Sequence, residues 1–244
     1  MRRGAGSVRH HRHRLREAAG KSGQVCCHRC PRRVPRRDCR LRAFCPQMNR
    51  FLFLLGQTVC GILFALLFRL EVRGKEHIPR RGAVLVAANH SSFLDPPLVG
   101  RAFFPRPLRY VARVSVFETP VIGWLVRHLG AVPLEHEGFA IAMRDILGLL
   151  GKGEAVLVFP EGTRSPDGRL QEAKAGIGFL AKKAGCPVIP VGIRGASRAL
   201  PRGRGMIRPV RVTVTIGEPM RVSDGSYEEI AETVMERLRE LLEE

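Results

Sequence analysis

Residues 83–95 read AVLVAANHSSFLD, so six apolar residues run directly into a group of polar ones. A short, continuous apolar run is typical of a strand that is buried on both faces of a sheet. In an open α/β sheet the strand ends border a cleft, and reactive side chains occupy the loops that leave those ends. The stretch therefore predicts a buried strand followed by a candidate site at His90 and Asp95.

A second stretch repeats this arrangement further along the chain. Residues 155–165 read AVLVFPEGTRS, in which an apolar run again leads into polar residues. Pro160 ends the strand, Gly162 allows close approach of the backbone, and Arg164 offers a planar fork that matches phosphate or carboxylate. This stretch predicts a second loop at a strand end, with a residue suited to binding an anion.

Apolar runs and helical patterns alternate over the rest of the chain, which is typical of an α/β fold. The other predicted strands are 109–113, 131–135, 188–193 and 210–216, and the predicted helices are 121–129, 139–150 and 173–184. The last of these strands alternates strictly, which predicts a half-exposed strand of edge type. We expect residues 71–244 to form a single domain with a mixed, mostly parallel sheet flanked by helices.

The C-terminal residues predict an amphipathic helix that completes this domain. Ser226 is suited to the N-cap position, and Glu229 three residues later completes a capping box. Ile230, Val234 and Leu238 then fall on one face of the helix.

Residues 51–68 are apolar, with Gln57 as the only strongly polar residue among them. As a helix they span about 27 Å at roughly 1.5 Å per residue, just short of the ~30 Å hydrocarbon core of a bilayer. They are apolar all round, which is not typical of a surface helix in water. We interpret residues 48–70 as a membrane-associating helix with basic flanks suited to lipid headgroups, and a buried core helix is the alternative.

The first fifth of the chain differs from the rest in charge and cysteine content. Residues 1–47 hold 14 Lys and Arg against two acidic residues, so they carry 12 of the 19 net positive charges, and they also hold five of the seven cysteines. Zinc binding through Cys27 and Cys30, a basic arm for nucleic acid or anionic lipid, and an extension translated from a start before Met48 all fit this composition. We favour the last, and expect no packed structure from these 47 residues.

Each strand-end motif also has a simpler explanation when it is taken alone. Asp95 lies five residues after His90, close enough to fix the tautomer of the imidazole for general-base catalysis. The same residues would equally serve to cap a helix, with His90 incidental. Residues 160–165 would likewise fit a turn that carries surface charges.

The two motifs together, NHSSFLD and FPEGTRS, about 70 residues apart and each after a strand, resemble those of the glycerolipid acyltransferase family. This family includes the bacterial 1-acylglycerol-3-phosphate acyltransferases, and the resemblance covers residues 70–219. It implies that His90 is the general base and that Asp95 orients it. It also implies that Arg113 is a second phosphate ligand. The acceptor-binding block that it implies consists of Glu161, Gly162, Thr163 and Arg164.

One position departs from the family pattern. Residues 130–136, GAVPLEH, match a block of the family that usually ends in Arg, where this chain has His136. Histidine is about half charged only near pH 6.5 and has no bidentate fork. The phosphate contact at this position, and with it the identity of the acceptor, is therefore open.

The resemblance implies transfer of a fatty acyl group from acyl-CoA or acyl-carrier protein to 1-acylglycerol 3-phosphate, giving phosphatidic acid. It implies no metal and no cofactor, because the acyl carrier is a substrate. We expect the protein to lie on the cytoplasmic face of the cell membrane, and we expect no nucleic-acid partner. An acyltransferase for another lipid acceptor is one alternative, and a nonenzymatic basic protein that binds nucleic acid or membrane is the other.

Overall fold

A seven-stranded sheet forms the centre of the protein. The computed structural model describes residues 50–120, 123, 126, 131–134, 139–201, 206–222 and 224–243. The strands are β1 (Glu71–Arg73), β2 (Val84–Ala88), β3 (Leu108–Arg113), β4 (Ala131–Leu134), β5 (Ala155–Val158), β6 (Val188–Arg194) and β7 (Thr213–Ile216). The helices are α1 (Arg50–Phe68), α2 (Asp95–Ala102), α3 (Val114–Glu118), α4 (Phe139–Leu150), α5 (Gly176–Ala184), α6 (Ala196–Ala199) and α7 (Tyr227–Glu243), and a 3₁₀ turn spans Lys75–His77.

The strand order is β1-β7-β6-β2-β5-β3-β4. Neighbouring strands are parallel except for β6 and β7, which are antiparallel. The prediction of a mixed, mostly parallel sheet is confirmed. Because β2, β5, β3 and β6 run in the same direction, the loops that follow them leave from one edge of the sheet.

The two faces of the sheet carry different helices. Val84, Val86 and Ala88 of β2 face a layer that includes α1 and α2. Leu85 and Ala87 alternate with them and face a layer that includes α4, α5 and α7. All five residues of β2 are buried, which explains why its sequence is continuously apolar.

The helix predictions hold to different degrees. The helix at 139–150 is confirmed as α4, α5 begins at Gly176 rather than at 173, and the helix predicted at 121–129 lies mostly outside the described residues. The capping box before α7 is confirmed: Ser226 N donates to Glu229 Oε2 at 2.7 Å, and Glu229 N donates to Ser226 Oγ at 3.1 Å.

The exposure predicted for residues 210–216 is wrong. The strand is confined to β7, Thr213–Ile216, and all four of its residues are buried. β1 was not predicted; it pairs with β7 in parallel and covers the edge that β7 would otherwise expose. Strict alternation therefore arises here in an interior strand whose Thr213 and Thr215 are also buried.

The apolar segment forms α1, and its two sides have different surroundings. Phe53, Phe64 and Phe68 are buried, whereas Ile62 and Leu66 expose 56% and 75% of their surface. Among the residues that the structure describes, no helix combines the length and the apolar character needed to cross a membrane.

Candidate active site

The loop after β2 is fixed to the neighbouring strand by Asn89. Its side-chain Nδ2 donates to the carbonyl of Ile193 at 3.0 Å, and its Oδ1 accepts from the N–H of Ile193 at 2.7 Å. Asn89 is buried, so both bonds are shielded from water. The residue before His90 thus ties the loop to β6.

Asp95 organises the rest of this loop from the first turn of α2. Its Oδ2 accepts hydrogen bonds from Ser91 N at 2.6 Å and Ser92 N at 2.7 Å, and it lies 2.9 Å from His90 Nδ1. The Asp95 side chain is fully buried. Its partners precede it in the loop, so it is not acting as a simple cap for its own helix.

The contact with Asp95 sets the tautomer of His90. A carboxylate is only an acceptor, so Nδ1 carries the proton and Nε2 keeps its lone pair. The imidazole stacks on Phe159, with ring centroids 3.9 Å apart and an angle of 16° between the planes. The His90 side chain retains 18% of its exposure. The ring is therefore held in orientation while remaining accessible, as a general base requires.

Glu161 connects the loop after β5 to the loop after β2. Its Oε1 accepts from His90 N at 2.6 Å, and its Oε2 accepts from Gln171 N at 3.1 Å. Burial raises the pKa of the Glu161 carboxyl, and the two N–H donors oppose that rise. The family resemblance implies that Glu161 belongs to an acceptor-binding block, and in the structure both of its carboxylate oxygens accept hydrogen bonds from the backbone of the protein.

The residues after Glu161 turn outward. Gly162 has φ +70°, a left-handed conformation that favours glycine, and Thr163 is exposed. The guanidinium of Arg164 lies 3.5 Å from the ring centroid of Phe93, and Phe93 itself is 64% exposed. Arg164 is thus a cation presented beside the His90 loop.

The other two candidate phosphate positions are described less fully. Arg113 is the last residue of β3, at the same edge of the sheet as His90, but its side chain lies outside what the structure describes. His136 also lies outside the described residues. The structure therefore brings together His90, Asp95 and Glu161, with Arg164 beside them.

Two aromatic contacts at this site were not anticipated from the sequence. Phe159 supports the imidazole ring of His90, and Phe93 supports the guanidinium of Arg164. Both residues lie within the quoted motifs, but spacing alone does not indicate which side chain an aromatic ring contacts.

Comparison with known proteins gives a consistent result. Residues 69–194 match the family model described as Acyltransferase. The chain is 30% identical over 185 residues to a chloroplastic 1-acyl-sn-glycerol-3-phosphate acyltransferase of Arabidopsis thaliana, covering 74% of this chain and 51% of that protein. It is 31% identical to the 1-acyl-sn-glycerol-3-phosphate acyltransferase of Pseudomonas aeruginosa, covering 75% of this chain and 69% of that protein.

A solved structure shows the same fold. The crystal structure of the 1-acyl-sn-glycerophosphate acyltransferase PlsC from Thermotoga maritima superimposes with a TM-score of 0.68 at 32% identity, covering 78% of each chain. The present chain spans about half the length of the plant relatives that it matches, 51% and 45% for two of them.

Proposed function

Because this chain belongs to the acyltransferase family, we propose that it transfers a fatty acyl group from a thioester donor to the free hydroxyl of 1-acylglycerol 3-phosphate. The product is phosphatidic acid, a precursor in phospholipid biosynthesis. The observation that carries the proposal is the His90–Asp95 pair, with Nδ1 and Oδ2 2.9 Å apart at the end of β2. The names of the relatives support the same acceptor. Family membership also favours this enzyme over the nonenzymatic basic protein.

The chemistry requires one base and no covalent intermediate on the protein. Nε2 of His90 takes the proton of the acceptor hydroxyl as its oxygen adds to the thioester carbonyl carbon. The tetrahedral intermediate then collapses, the C–S bond breaks, and the thiolate takes the proton from the imidazolium. An ester and a free thiol are formed, and His90 returns to its starting state. Asp95 stabilises the imidazolium between these two proton transfers.

Two charged residues bind the acceptor and position the base. Arg164, held against Phe93, binds the phosphate of the acceptor and so brings its hydroxyl to His90. Glu161 holds the main chain of His90 in place. Acyl-CoA and acyl-carrier protein both supply a thioester, and either serves as the donor in this scheme.

The exposed side of α1 is the proposed membrane contact. Seven apolar side chains on it are 39% exposed or more: Leu54, Leu55, Val59, Ile62, Leu63, Leu66 and Leu67. A contiguous apolar surface of this kind marks an interaction site, and the proposed acceptor and product are both membrane lipids. We place the protein on the cytoplasmic face of the cell membrane, with this side of α1 in the interface.

The activity is tested by mass spectrometry of the lipids formed from a panel of lysolipids with acyl-CoA and acyl-carrier protein. Phosphatidic acid from lysophosphatidic acid is the expected product, with the full chain and with a chain that starts at Met48. Turnover of another lysolipid in preference would favour the alternative acceptor that His136 suggests. No ester product from any pair would refute the proposal.

The membrane contact is tested on vesicles of anionic phospholipid. Replacing Ile62 and Leu66 with Ser should reduce co-flotation strongly, because it removes exposed apolar surface without touching the buried phenylalanines. A matched variant with Ser at Met206 and Ile207, which are 74% and 47% exposed and lie outside α1, should float like the wild type. Equal flotation of all three proteins would contradict the membrane role of α1.

A further inference from the structure

The segment that leads into α5 is held to the loop after β5 by hydrogen bonds from its main chain. Gln171 N donates to Glu161 Oε2 at 3.1 Å, and Lys174 N donates to Pro160 O at 3.0 Å. The carbonyl of Lys174 then accepts from Ile177 N at 3.3 Å. The backbone of Lys174 is therefore positioned by the same loop that carries Arg164.

The side chain of Lys174 extends across Gly162. A Cβ placed on Gly162 would lie 3.0 Å from Cδ, 3.1 Å from Cε and 3.2 Å from Nζ of Lys174. Three consecutive atoms at these distances place the outer half of the lysine over the glycine. The left-handed φ of +70° favours glycine at position 162, and a Cβ there would also crowd the outer atoms of Lys174.

No described carboxylate forms an ion pair with Lys174. Both carboxylate oxygens of Glu161, the acidic residue of this loop, accept hydrogen bonds from main-chain N–H groups. The outer part of Lys174, from the segment that leads into α5, lies over Gly162, two residues before Arg164 in the loop after β5. Two cations that come from neighbouring segments favour an anion with several acceptor oxygens.

We propose that Lys174 is a further phosphate-binding residue of the acceptor site and acts together with Arg164 on the phosphate of the lysolipid. This inference rests on the proposed function. Arg164 supplies a planar fork, and Lys174 supplies a compact point charge at the end of a stem that Gly162 supports. The two contacts differ in kind, so loss of one is not replaced by the other.

The test is the kinetics of Lys174→Met, which keeps the length and apolar stem but removes the charge. The acceptors are lysophosphatidic acid and the phosphate-free monoacylglycerol. We expect the KM for lysophosphatidic acid to rise about tenfold, as for the loss of one charge-assisted hydrogen bond. The kcat and the kinetics on monoacylglycerol should change little. Lys174→Arg should restore most of the affinity, and Lys183→Met, on an exposed lysine of α5, is the matched control.

The outcomes separate this inference from the proposed function. Equal losses of Lys174→Met on both acceptors would show that the lysine only packs on Gly162, and no loss on either would also overturn the inference. If the wild type did not acylate lysophosphatidic acid, calorimetric binding of glycerol 3-phosphate would decide. Binding that Lys174→Met weakens would support the phosphate site without the proposed function, and absence of binding to the wild type would overturn both.

Discussion

The loops after β2 and β5 are both held by a buried carboxylate, but the two carboxylates have different roles. Each has one buried carboxylate that accepts two main-chain N–H bonds: Asp95 from Ser91 and Ser92, and Glu161 from His90 and Gln171. Asp95 additionally contacts the imidazole of His90. Glu161 instead holds the backbone of the residue that Asp95 orients. One carboxylate thus acts on the reacting group, and the other on the scaffold beneath it.

The two loops also differ in the charge that they present. The loop after β2 buries its carboxylate completely, whereas the loop after β5 turns outward and presents Arg164. A general base needs a fixed orientation, and a phosphate site needs an accessible cation. Substitution of His90 or Asp95 at the first loop should therefore reduce kcat, and substitution of Arg164 in the second should raise the acceptor KM.

The largest effect is expected for His90→Ala. Removal of the base should lower kcat by about 10²–10⁴-fold, the usual contribution of general-base catalysis. The acceptor KM should change little, and thermal unfolding should confirm that the fold is retained. Near-wild-type turnover of lysophosphatidic acid by this variant would contradict the assignment of the general base to the loop after β2.

Asp95→Asn should be nearly as harmful. An amide oxygen still accepts the N–H bonds of Ser91 and Ser92, but it does not stabilise the imidazolium or hold the proton on Nδ1 with the same strength. We expect kcat to fall by about 10²-fold or more, with an unchanged acceptor KM. A selective rise in KM would instead assign Asp95 to acceptor binding.

The sequence predicted the parts of the fold that depend on continuous apolar runs. Strands β2, β5 and β6 are buried on both faces, and such strands are recognisable without any knowledge of their neighbours. β1 was missed because Glu71, Val72 and Arg73 form no apolar run and become a strand only by pairing with β7. The burial of β7 was missed for the same reason, since it depends on that partner.

The site shows the same limit. His90 and Asp95 are close in sequence, so their contact follows from one loop, and spacing was sufficient to suggest it. The partners of Glu161 are His90 and Gln171, 71 and 10 residues away, and no spacing rule indicates them. Lys174 was not singled out, because its relation to Gly162 exists only once the chain has turned back on the loop after β5.

Arg164→Ala should have an intermediate effect that is confined to acceptor binding. Loss of charge-assisted hydrogen bonds to phosphate costs about 1.5–3 kcal/mol, which corresponds to a rise in KM of about 10–150-fold. Lysine should restore part of the affinity, because it keeps the charge but not the fork. Kinetics on monoacylglycerol provide the control, and equal losses on both acceptors would point to a structural role for Arg164.

The smallest effect on rate is expected for Glu161→Gln, which should also change how the free energy of unfolding depends on pH. Glutamine keeps one acceptor oxygen, so one of the N–H groups of His90 and Gln171 loses its partner at a cost of about 1–3 kcal/mol. Removal of a buried negative charge works in the opposite direction. We expect kcat to fall only a few-fold, since Asp95 still orients the imidazole.

The pH dependence follows from the direction of the pKa shift. Burial raises the pKa of Glu161 above its usual 4.5, so in the pH range between the two values the folded protein binds more protons than the unfolded chain. The stability that this group contributes is therefore fully present below pH 4.5 and is lost as the pH rises through the folded value. The free energy of unfolding of the wild type, minus that of Glu161→Gln, should accordingly increase on acidification through this range. Denaturant unfolding of both proteins at several pH values measures the difference, and a difference that decreases on acidification would show that the N–H bonds of His90 and Gln171 outweigh burial.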